Sequence, residues 1–124
     1  MPTKSESIKL ILESLSRTGG VRASAVISTN GLPIVNNIPE SVDPNTFAAM
    51  LASMVGAAET ALRALGSKNA LDRVVSESKD VQVTAVKAGE DAILAIMTDP
   101  AVNWGLILLE ARRSAEQIAQ ILKT

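Results

Sequence analysis

Apolar residues recur at helical spacing in three stretches of this chain, and alternate or run together in five shorter ones. The first helical stretch follows Thr3-Lys4-Ser5-Glu6, where Glu6 has the spacing to reach back to a Thr3 cap. Ile8, Ile11, Leu12 and Leu15 then share one face, and Gly19-Gly20 is the predicted stop, because glycine takes the left-handed C-terminal conformation cheaply. The second stretch runs from Asp43 to Gly66, with Asp43 as cap and Pro44 at the first helical position. At 1.5 Å per residue it is roughly 33 Å long. The third follows Asp99-Pro100, with Asn103 as a competing cap. It carries Trp104, Leu108, Ala111, Ala115, Ile118 and Leu122 in alternating steps of four and three.

Between these helices the period falls to two. Val21 to Ser28 places Val21, Ala23, Ala25 and Ile27 on one face and Arg22, Ser24, Val26 and Ser28 on the other. Asn30-Gly31 follows, the pair that a two-residue hairpin with two positive φ angles demands. Leu32 to Val35 is the return strand, and Pro33 within it removes a ladder donor, which predicts a sheet edge. Leu71 to Glu77, Val81 to Lys87 and Ala92 to Thr98 read as a three-strand meander joined by polar turns. The last of these contains Ile93-Leu94-Ala95-Ile96-Met97, apolar without interruption, so it belongs in the sheet centre with cover on both sides.

The order is α-β-β-α-β-β-β-α in one domain spanning residues 1–124. Pairing the apolar last strand with the first closes a five-stranded antiparallel sheet, leaving the Pro33 strand and Leu71–Glu77 as edges. The fold class is α+β, with the sheet sandwiched between the central helix and the two terminal ones.

The central helix has more apolar surface than such a sandwich covers. Phe47, Leu51, Met54, Ala58, Leu62 and Leu65 form a large-residue face, and Ala49, Ala52, Ser53, Gly56 and Ala57 a second face of small residues. A short chain builds one core for the first face. The second face calls for another partner, and a second copy of the chain is the simplest. Gly56 costs roughly 1 kcal/mol against alanine inside a helix, which points to a packing reason for it.

Composition trims the functional classes. Hydrophobic residues are 47% of the 124, against disorder. Twelve basic and 13 acidic residues, a net charge of −1 and 2% aromatics offer nucleic acid neither a field nor a stacking surface. No apolar run has the length to span a bilayer, and the polar opening from Met1 to Glu6 is unlike a signal peptide, so membrane insertion is not expected. The sequence holds no Cys, His or Tyr. Thiol nucleophiles, histidine triads and imidazole or thiolate metal sites cannot be built from it. Zero Cys fits a reducing cytoplasm. No G-x-x-x-x-G-K-[ST] or G-x-G-x-x-G motif is present, so the glycines read as caps and turns. The expectation is an interaction protein without enzymatic activity, cofactor or metal.

The element order and particular words resemble the Roadblock/LC7 family of small dimeric regulators, with a profilin-like fold. Gly20-Val21 leads into the first strand, and Ser28-Thr29-Asn30-Gly31-Leu32-Pro33-Ile34 forms the hairpin. Phe47 to Glu59 lies on the long helix, and Asn103-Trp104-Gly105-Leu106-Ile107-Leu108-Leu109-Glu110 opens the last one. Trp104 stands where that pattern would carry an aliphatic residue. The resemblance implies a homodimer, or a heterodimer with a paralogue, joined edge to edge through the second strands and by pairing of the central helices. It implies binding to a Ras-like small GTPase as an activating or scaffolding partner. The alternative is a structural subunit, akin to a dynein light chain, in a motor or signalling complex.

On these grounds the expected dimer interface is Leu32, Pro33, Ile34 and Val35 with Ala49, Ala52, Ser53, Gly56 and Ala57. Glu59 and Arg63, four apart on the central helix, form a surface ion pair or a partner contact. Arg22, Arg73, Arg112 and Arg113 read as surface charge, Met50 as core, and Trp104 as a packing anchor with its indole N–H near water.

Overall fold

A computed structural model describes all 124 residues. The elements are α1 (Lys4–Leu15), β1 (Val21–Ser28), β2 (Pro33–Asn37), α2 (Pro44–Ala64), β3 (Arg73–Glu77), β4 (Gln82–Lys87), β5 (Ala92–Thr98) and α3 (Trp104–Lys123). The five strands form one antiparallel sheet in the order β2-β1-β5-β4-β3. The apolar run thus lies at the centre, and the Pro33 strand and β3 are the edges.

Alternation along the strands builds two cores. Val26, Leu94, Ile96 and Val86 point to one side, where Ile8, Leu12 and Leu15 of α1 and Ala111, Ala115 and Ile118 of α3 meet them. Ala25, Ile27, Ala85, Ile93 and Ala95 point to the other, where only Ala48, Leu51 and Val55 of α2 and the loop residue Leu71 are buried against them. Leu71 therefore plugs a core rather than opening β3, which begins two residues later.

The caps explain the helix limits. Thr3 and Glu6 close a reciprocal box at α1. The helix stops at Leu15, short of the glycine pair. Ser16 Oγ turns back onto the Glu13 carbonyl, a local bond that competes with further helix, and successive tight turns lead to Gly20. In α2, Asp43 accepts from the Thr46 backbone N–H at 3.3 Å. At its far end Ser67 N–H donates to Leu62 C=O at 3.0 Å and Gly66 N–H to Arg63 C=O at 2.9 Å, with Gly66 at φ +94°. For α3, Asn103 wins the competition, its Oδ1 accepting from Leu106 N–H at 3.2 Å. Asp99 is engaged elsewhere, with its carboxylate on Arg22.

The β1–β2 hairpin differs from the expected two-residue turn. Gly31 N–H donates to Ser28 C=O and Ser28 N–H to Leu32 C=O, and among non-glycine residues none has positive φ. The loop is therefore Thr29-Asn30-Gly31, with Gly31 alone at φ +89°. One register step later Val26 faces Val35 and Ile27 faces Pro33, so Ile34 is an extra residue at a β-bulge.

Toward the Thr98 end of β5 the sheet is polar. Ser24, Gln82, Thr84 and Thr98 are buried there, and none of their side-chain polar atoms has a hydrogen-bond partner within the chain. Ile107 of α3 is buried and belongs to neither apolar cluster.

Two stability outcomes follow from these contacts. A Cβ at Gly20 would lie 2.2 Å from Val102 Cγ1 at φ +89°, whereas one at Gly19 meets nothing. Gly20→Ala should cost about 2 kcal/mol in denaturant unfolding, and Gly19→Ala less than about 0.5 kcal/mol. Equal costs would contradict the close approach. Thr84→Val removes an unpaired hydroxyl at constant shape and should raise stability by about 1 kcal/mol. A loss in the same unfolding assay would mean that the hydroxyl is satisfied.

Candidate interaction surface

The outer side of α2 is an unpartnered face of the fold. At 100° per residue, Leu51 facing the sheet turns Thr46, Ala49, Ser53, Gly56, Ala57, Thr60 and Ala64 outward. All are exposed except Ala49, which is half-buried. The hydroxyls on this face are already used. Ser53 Oγ donates to Ala49 C=O at 2.8 Å and Thr60 Oγ1 to Gly56 C=O at 3.0 Å, each tucked onto its own helix. The face is consequently smooth, with little side-chain bulk. A Cβ at Gly56 would meet nothing within 4 Å, so nothing within the chain requires glycine there.

Ala52 does not belong to this face, contrary to expectation. It packs inward beside the hairpin: a Cβ at Gly31 would sit 3.4 Å from Ala49 Cα and 3.7 Å from Ala52 Cβ. The absence of that Cβ lets the hairpin backbone lie against α2, which is why the position one step round from Leu51 is covered. The expected large-residue face is also shorter than the helix. Phe47, Leu51, Met54 and Ala58 meet the core, but Leu62 and Leu65 lie past it, Leu65 being 84% exposed. Met50, expected in the core, is 59% exposed on the flank of α2. It falls about 100° from Leu51, a rotation that a list of hydrophobic positions hides.

The edge strand continues this surface. Leu32 and Ile34 are exposed, at 62% and 37%, and Pro33 is half-buried. Val35 contributes only backbone, since its side chain is buried in the α1–α3 core. Gly31 is the junction that brings the β2 edge and α2 together.

The charged candidates separate. Glu59 reaches Lys87 on β4 at 3.7 Å, with both side chains about three-quarters buried, and makes no bridge to Arg63. Its position on the sheet-facing flank of α2 sets that choice. Arg63 donates to Thr60 Oγ1 at 3.4 Å and remains on the surface. The other four arginines noted in the sequence all have carboxylate neighbours within the chain: Arg22 with Asp99, Arg73 and Arg112 with Asp72, and Arg113 with Glu110. Two carboxyls are held below their ordinary range, and both belong to helix N-terminal capping arrangements. Hydrogen bonds from the Thr3 backbone and hydroxyl lower Glu6, and those from the Thr46 hydroxyl and backbone lower Asp43. Trp104 is half-buried at the start of α3.

Sequence reading missed one contact at the edge: Lys9 Nζ on α1 donates to the Asn36 carbonyl of β2. Twenty-seven residues separate them, and no local pattern announces such a pair.

Comparisons agree with this architecture. MJ1340 of Methanocaldococcus jannaschii is 36% identical over 111 residues, covering 90% of this chain and 96% of that protein. The gliding protein MglB of Thermus thermophilus superposes with a TM-score of 0.85 at 21% identity, covering 99% of this chain and 93% of that one. Acanthamoeba castellanii profilin II does so at 0.64 and 20% identity, covering 95% and 98%. These two superpositions show a common fold. Residues 7–98 match the model of the Roadblock/LC7 domain, and the chain belongs to that family.

Proposed function

We propose that two copies of this chain join along β2 and across the outer face of α2, and that the dimer binds a Ras-like small GTPase and sets its activity or location. The observation that carries the reading is the outward row of α2, smooth, small-sided and continuous through Gly31 with the exposed Leu32 and Ile34 of an edge strand. Small side chains let helix backbones approach closely. An unpaired strand edge is a template for another strand. Gly56 supports the reading, because its cost within the helix has no intramolecular return. Family membership supports the GTPase, and assembly is supported by a solved structure of like fold, described as MglB with tetrameric arrangement. A Roadblock paralogue in place of the second copy would use the same surface.

The solution mass tests the assembly. Light scattering across a dilution series should give twice the 13.0 kDa chain mass. Gly56→Arg should halve that mass while the thermal melt stays cooperative, since the added side chain meets nothing in its own chain. A monomeric parent, or a variant that remains a dimer, would overturn the interface.

The GTPase needs its own measurement. Titrating the dimer against Ras-like GTPases loaded with GDP or a GTP analogue should give an affinity that depends on the nucleotide, by tenfold or about 1.4 kcal/mol. Equal affinity for both forms would replace regulation with scaffolding. Absence of binding would remove the GTPase from the proposal.

A further inference from the structure

The β2 edge lacks one donor and holds one that does not belong to it. Pro33 has no N–H. Lys9, reaching from α1, brings its ammonium to the Asn36 carbonyl. The register connects these two facts. Ser28 N–H donates to Leu32 C=O at 2.8 Å, so that pair is hydrogen-bonded. Antiparallel ladders alternate bonded and unbonded pairs, which makes Ile27–Pro33 unbonded and turns the Pro33 backbone away from β1. The bulge then spends one extra residue, Ile34, before Val26 meets Val35. The Asn36 carbonyl is reached from outside the sheet by Lys9, which makes Ala25–Asn36 the unbonded pair and Val26–Val35 the bonded one. Outward-facing backbone groups therefore fall at positions 33 and 36, three apart rather than the usual two.

A two-fold axis between Ile34 and Val35 matches this spacing. It sets Pro33 of one copy opposite Asn36 of the other, twice. Asn36 N–H then donates to the opposing Pro33 carbonyl. The reciprocal donor is absent, because Pro33 carries no hydrogen, and the Asn36 carbonyl would be buried without a partner.

We propose that Lys9 is the residue that sets the register of this self-interface: its ammonium supplies the Asn36 carbonyl with the donor that Pro33 of the second copy lacks. A one-residue slip would bring a different strand position against the Lys9-bound carbonyl and leave the opposing Pro33 carbonyl without its donor. The inference rests on the dimer proposed above and specifies which atoms meet in it.

A double-mutant cycle on the full chain tests it. Lys9→Met keeps the aliphatic stem and removes the donor. It should raise the dimer dissociation constant roughly tenfold or more, because a buried carbonyl loses a charge-assisted bond in each half of the interface. Pro33→Ala restores the missing N–H. On that background Lys9→Met should cost less than about threefold, so the two substitutions couple. Melts of all four chains establish that each is folded. Amide exchange of the parent gives an independent reading, in which Asn36 N–H is protected in the dimer and exchanges in dilute monomer. Lys9→Met without effect, losses that simply add, or an unprotected Asn36 in a proven dimer would each overturn the role of Lys9. A parent that stays monomeric at every concentration would instead overturn the dimer itself.

Discussion

β5 has no polar face. Ile93 and Ala95 point into one core, Leu94 and Ile96 into the other, so both sides of the sheet must be covered. The chain has three helices for this purpose. α1 and α3 share one side, lying against each other as well as on the strands. α2 has the other side alone. A lone helix on a sheet face cannot be covered by its own neighbours, and its far side faces solvent unless something from outside lies on it. The uncovered far side of α2 is thus a consequence of the layer count, decided by the central strand.

The two cores differ in kind as well as in number of helices. On the α2 side the buried contacts are alanines, Leu51, Val55 and the sheet's own Ile27 and Ile93, with Leu71 closing one end. On the other side the apolar cluster gives way, toward the Thr98 end of β5, to the buried Ser24, Gln82, Thr84 and Thr98. Each buried polar atom without a partner costs about 1–3 kcal/mol. Asn103 caps the start of α3 and Ile107 is buried in its first turns, while Ala111, Ala115 and Ile118 anchor the remainder in the apolar cluster.

Much of this fold was legible because strong local signals agreed with the global one. The span and centrality of β5, the span of β1, the edge position of Pro33 and both cap sequences around Asp43 and Thr3 follow from period, turn chemistry and capping. The departures have local physical causes. α1 stopped early because Ser16 folds back on Glu13. Asn103 capped α3 because Arg22 had taken Asp99. The hairpin used three residues because only Gly31 needed a positive φ. For the surface, Ser53, Gly56 and Ala57 were readable from helical spacing. Ala52 was not, since its burial depends on a hairpin brought close by Gly31. Glu59 escaped for the same reason: its partner Lys87 lies on a strand, beyond any helical period.

The two parts of the proposed self-interface do different physical work. The outer face of α2 has its hydroxyls already bonded, so it offers contact area and close approach but almost no direction. Two such helices would slide or rotate past one another at little cost. Direction has to come from groups with unmet hydrogen-bonding demand, and these lie on the β2 edge. Proline at that edge is ordinarily a device against strand addition. Combined with a bulge and a lysine on the neighbouring helix, it has a second consequence in the proposed pairing: only a strand that leaves the Asn36 carbonyl to Lys9 would pair with it at full strength. In that pairing the residue that blunts the edge against arbitrary strands would also select its own copy.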